Sequence, residues 1–97
     1  MASRTVAGIV GGQGEILATE NNYNVDHFAT GHYTIDFEPA FSQRILAVVV
    51  TQVPGFDGST LDNATIISIV NERIKVKTGD GNGDASDRPF SFIVLGD

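Results

Sequence analysis

The residues best placed to do chemistry in this 97-residue chain are carboxylates and amides in short glycine-rich stretches. Asp80-Gly81-Asn82-Gly83-Asp84 sets oxygen-bearing side chains at i, i+2 and i+4, with Asp87 just beyond. An EF-hand loop opens with that spacing, because alternate side chains then turn toward one cation. The match stops there. Ala85 stands where the pattern needs glycine, and Ser91 where it needs the bidentate glutamate. The same residues are turn formers, and a hairpin loop accounts for them without a metal. Calcium on Asp80, Asn82, Asp84 and Asp87 is therefore a weak candidate, and no other cofactor is expected. Two histidines and no cysteine offer too few soft ligands for a transition metal.

Catalysis finds less support. Asp26 and His27 are adjacent, and neighbours on a strand point to opposite faces, so they do not pair as orienter and base. There is no Gly-x-Ser-x-Gly elbow. Gly11-Gly12-Gln13-Gly14 lacks the lysine and the spacing of a phosphate loop and reads as a tight turn. No enzymatic activity is expected; a buried, hydrogen-bonded His–Asp pair in a pocket would reopen the question. Sugar recognition asks for less: polar side chains for hydroxyls and an aromatic face for the C–H side of the ring. Candidates are Asp57, Asp62 and Asn63 in one loop and Asp80, Asn82 and Asp84 in another, with His32 and Tyr33 beside them and Phe56 and Tyr23 as further ring faces.

The composition narrows the partners. Twelve acidic residues against six Lys and Arg give a net charge of −6. Nucleic acid needs a basic patch, and an anionic membrane surface would repel this chain. The longest apolar run, Ile45-Leu46-Ala47-Val48-Val49-Val50, is far short of the roughly 20 residues that span a bilayer, so no membrane insertion is expected. The first residues show no apolar signal core. A soluble chain without a classical signal peptide is the expectation, with an extracellular or particle-associated setting left open.

These groups must be positioned by strands. Tyr33-Thr34-Ile35-Asp36-Phe37 and Arg73-Ile74-Lys75-Val76-Lys77 alternate with period two. Further strands are predicted over 5–10, 15–18, 24–28, 44–53, 64–70 and 90–95, and no segment has helical periodicity. Seven or eight short strands in one domain over 1–97 imply an antiparallel β-sandwich or small barrel. The six-residue apolar run is two-faced, so it is predicted to lie centrally in a sandwich or to face a neighbouring subunit. Phe92-Ile93-Val94-Leu95 is likewise apolar on both faces. A thin core without disulfides commonly gains support by oligomerisation.

One long pattern ties these elements together. It runs Val6-Ala7-Gly8, Gly14-Glu15-Ile16, Asn24-Val25, Thr30-Gly31-His32-Tyr33-Thr34-Ile35-Asp36-Phe37, Ala40-Phe41 and Val48-Val49-Val50-Thr51. It resumes at Val76-Lys77-Thr78, Gly81-Asn82-Gly83 and Arg88-Pro89-Phe90-Ser91-Phe92-Ile93-Val94-Leu95-Gly96. This resembles small bacterial and phage β-domains found at fibre tips or after repetitive stalks. The second half is similar in layout to H-type lectins, trimeric or hexameric sandwiches that bind N-acetylgalactosamine-type sugars, although their tryptophan and cysteines have no counterpart here. Gly31-His32-Tyr33 and the closing Phe-rich strand resemble, more distantly, complement-type and tumour-necrosis-factor-like heads. The resemblance implies a jelly-roll-like sandwich that assembles as a homotrimer or a multiple of three. It also implies a lectin-like module binding cell-surface carbohydrate or another surface receptor. The alternative is a structural trimerisation head with no small ligand.

Overall fold

The computed structural model describes residues 3–19, 22–53 and 63–97. All regular structure in it is β: β1 (Arg4–Val10), β2 (Ile16–Thr19), β3 (Tyr23–Ala29), β4 (His32–Phe37), β5 (Ile45–Gln52), β6 (Asn63–Val70), β7 (Arg73–Gly79) and β8 (Phe90–Gly96). Each predicted strand has its counterpart, with ends shifted by a residue or two. Alternation is a local property of the chain, which is why it reads directly.

The strands form two four-stranded antiparallel sheets, in the orders β2-β1-β8-β5 and β3-β4-β7-β6. Connections β1–β2, β3–β4 and β6–β7 stay within a sheet, and the other four cross between sheets. The first and last strands pair along their whole length inside the first sheet, from Arg4 opposite Gly96 to Val10 opposite Phe90.

The sheets pack face to face as a β-sandwich around the residues that alternation points inward. Val6 and Val10 of β1 and Phe90, Phe92 and Val94 of β8 meet Tyr33, Ile35 and Phe37 of β4, Ile74 and Val76 of β7 and Tyr23 of β3. Aromatic edges interlock across the gap: Tyr23 against Phe92 at 5.0 Å and Tyr33 against Phe90 at 5.1 Å between ring centroids. Such pairs add to plain burial, because each ring's positive edge meets the other's negative face. Phe41, on the link from β4 to β5, closes the far end against Phe37.

Strand β5 departs from one of the two expectations. It is not central; it is the edge strand of the first sheet. Val48 and Val50 face the core, and β6 of the opposite sheet lies alongside it. The Gln52 amide donates to the carbonyls of Asn63 and Gly79, tying that edge shut. On the other side of β5, Leu46 and Val49 are 54% and 62% exposed.

Candidate functional site

The loop end of the sandwich holds a polar knot centred on Asp87. Three tight connections converge there: Gly11–Gly14 after β1, Thr30–Gly31 after β3 and the loop from β7 to β8. Gly14 N–H donates to the Gly11 carbonyl at 2.9 Å, and Gly14 has φ +89°, the left-handed turn expected of that glycine run. Gly31, at φ +67°, is more constrained. A Cβ there would fall 2.6 Å from the Thr78 carbonyl oxygen and 2.8 Å from the Ser86 nitrogen.

Asp87 Oδ1 accepts the Gly31 N–H at 2.6 Å and the His27 Nε2 proton at 2.8 Å. Gln13 Nε2 reaches Oδ2 at 3.5 Å. The Gly31 amide, ahead of the His27 contact, holds the Asp87 carboxyl below its usual range, while partial burial pulls the other way. The His27 ring stacks on Tyr33 with centroids 4.8 Å apart and planes at 14°. The Tyr33 hydroxyl donates to the Gly12 carbonyl at 2.7 Å, and burial raises the phenol's pKa. Thr78 Oγ1 donates to the Ser86 carbonyl at 2.6 Å.

This knot contains a hydrogen-bonded His–Asp pair, the feature that would reopen catalysis. Its chemistry is that of a brace. His27 and Asp87 side chains are 18% and 27% exposed, and the carboxylate is shared with a backbone amide. The partner of His27 Nε2 is Asp87 Oδ1, and its ring face is covered by Tyr33. Sequence reasoning compared His27 with its neighbour Asp26 and missed Asp87, 60 positions away.

The sequence candidates scatter. Asp57, Asp62 and Phe56 lie outside the described residues. Asn63 starts β6 and is exposed. Asp80 Oδ1 accepts the N–H groups of Asn82 at 2.9 Å and Asp84 at 3.1 Å, closing the loop on itself. Asp87 is turned into the knot instead of toward that loop. Among the described residues, no three His, Cys, Asp or Glu form a group that could hold a metal ion. Tyr33 is fully buried, with His27 on its face and Phe90 at its edge, and Tyr23 is 2% exposed; both are core residues with no face free for a ligand. His32 points outward from β4, as expected of a polar strand residue, and Nδ1 is 2.7 Å from the Thr30 carbonyl.

The feature with the clearest functional content is the outer face of the first sheet. Strand register places its side chains in transverse rows: Ala47–Leu95–Thr5, then Val49–Ile93–Ala7, then Thr51–Ser91–Ile9. No charged residue occurs in these rows. Val49 is 62% exposed, Ile93 54% and Leu95 39%, and Leu46 projects from a bulge between Ile45 and Ala47. Directly opposed residues have Cβ atoms about 5 Å apart, so the exposed aliphatic groups form one patch. Scattered surface apolar residues are ordinary, but a contiguous patch marks an interaction surface.

No family model matches the chain, and neither curated proteins nor solved structures yield a match.

Proposed function

We propose that this chain is a non-catalytic assembly and recognition module: a jelly-roll-like protomer of a homotrimer, or a multiple of three, that presents lectin-like sites outward. The observation carrying this reading is the uncharged outer face of the first sheet. In a chain of net charge −6, copies repel one another unless they meet through a surface free of carboxylates. A neighbouring copy can cover the Val49–Ile93–Ala7 patch without leaving a charge from these rows buried and unpaired. The jelly-roll-like description draws support from the pairing of β1 with β8 inside one sheet and from the repeated crossings between sheets. Three-fold symmetry follows the resemblance to trimeric heads.

Recognition of cell-surface carbohydrate is the second element, as in a fibre-tip domain. Shallow polar sites of this kind bind weakly alone, and an oligomer supplies avidity. A purely structural trimerisation head is the rival, and one pair of measurements separates them. Native mass spectrometry of the wild type and of a V49K/I93K double variant is expected to give trimers and folded monomers respectively. A broad glycan array probed with the wild type is expected to give binding that the monomer loses through avidity. Silence on the array with an intact trimer makes the protein a structural head; a wild-type monomer removes the assembly reading altogether.

A further inference from the structure

The outer face of the second sheet carries a cluster that the loop candidates do not include, and it has the components of a site for an acidic sugar. A β-bulge in β3 sets two residues, Phe28 and Ala29, against His32 of β4. It leaves the Phe28 ring 47% exposed, beside the polar side chains of β4 and β7 on that face. An exposed aromatic there gains little from solvent, yet it is fixed by its neighbours. The His32 ring lies 5.7 Å away, and Lys75 Nζ stands 5.8 Å from the ring centroid.

The charges around it are unusual for this chain. Its two lysines, Lys75 and Lys77, both leave β7 on this face, because Ile74 and Val76 between and before them point into the core. Arg73, the third cation of the strand, is neutralised by Asp36, with Nε donating to Oδ1 at 2.7 Å. Among the described residues, neither lysine has a carboxylate within ion-pair distance, although the chain has twice as many acidic as basic residues. Register sets Lys77 beside His32 and Thr65, and Lys75 beside Thr34 and Ser68. Because the Thr30 carbonyl can only accept, His32 Nδ1 carries the proton that bonds it. Nε2 is then the ring nitrogen left to hydrogen-bond a hydroxyl.

We propose that Phe28, His32, Lys75 and Lys77 bind a carboxylate-bearing sugar unit. Phe28 stacks on the C–H face of the pyranose ring. The two ammonium groups take the carboxylate through charge-assisted bonds. His32 Nε2 and the neighbouring hydroxyls take ring hydroxyls. The inference rests on the recognition half of the reading above and names its ligand class; it does not depend on the assembly half, since every group comes from one chain.

The test titrates a galacturonate disaccharide, with the neutral galactose disaccharide as control, into isotope-labelled protein followed by NMR. It is run on the wild type and on the monomeric V49K/I93K variant, so that loss of assembly and loss of the site are read separately. Expected are amide shifts at Phe28, His32, Lys75 and Lys77 with the acidic sugar, none with the neutral one, and equal affinity per chain in both proteins. K75Q/K77Q should weaken binding about tenfold, equivalent to ~1.4 kcal/mol, and rising salt should weaken binding to the wild type but not to K75Q/K77Q. F28A should weaken it comparably, and F28Y should restore it. Shifts confined to the loop end, equal response to both sugars, or no response to the acidic one would overturn the proposal.

Discussion

The two outer faces of this sandwich are built by the same rule and end with opposite chemistry. Both belong to four-stranded antiparallel sheets whose inner sides fill one core. On the second sheet, the outward positions of β7 are Arg73, Lys75 and Lys77, set opposite Asp36, Thr34 and His32 of β4. That is the ordinary solvated side of a half-buried sheet. On the first sheet, the outward positions of β8 are Ser91, Ile93 and Leu95, answered by Val49, Ala47 and Ala7. The difference teaches that the hydrophobic surplus in β5 and β8 is not a core requirement. The core is satisfied by Val48, Val50, Phe90, Phe92 and Val94 alone. The surplus is a second surface, and in the assembly proposed above its place is between protomers.

The sharpest way to break this comparison uses adjacent residues of β8. Phe92 is 2% exposed and Ile93 is 54% exposed. F92A should cost about 3–5 kcal/mol in urea unfolding at any protein concentration, the cost of a buried aromatic lost to a cavity. I93A should cost little in dilute protein and progressively more as concentration rises, because its loss is felt only in the assembly. A cost independent of concentration would place Ile93 in a monomer's core and erase the distinction between the faces.

A charge is the next lever. I93K should dissociate the assembly by at least about 100-fold in the association constant, since it buries an unpaired cation, and circular dichroism should show the sheets intact. K75E, on the other face, should leave the mass unchanged. The knot gives a smaller effect that both faces share. Asp87 is held below its ordinary pKa, first by the Gly31 amide and then by His27, so its contribution is full above the unfolded value near ~3.9 and is lost as pH falls through that value and below. The wild type should therefore be more stable than D87A at neutral pH, and its advantage should shrink as pH falls below ~3.9. D87A should cost about 1–3 kcal/mol at neutral pH, because the Gly31 N–H loses its acceptor. Smallest of all is R73A: the Asp36 pair is solvent-exposed, and the urea midpoint should not move measurably.

The strands were legible because period-two alternation is local, and Tyr33-Thr34-Ile35-Asp36-Phe37 carries it without help from the rest of the chain. The uncharged character of β5 and β8 was legible too. That β5 sits at an edge was not, since strand order depends on pairings across the whole chain. The same limit hid the site chemistry. His27 finds Asp87 through three converging turns, and Tyr33 is a core residue because its ring lies between His27 and Phe90. Lys75 and Lys77 were visible as outward cations, but only the bulge at Phe28 gives them an aromatic companion.

Light scattering of the wild type across a dilution series tests the central claim most directly. The homotrimer proposed above, with the Val49–Ile93–Ala7 face buried between copies, predicts a mass three times the 10.3 kDa chain, or a multiple of that, at micromolar concentration. A mass of 10.3 kDa throughout the series would contradict it.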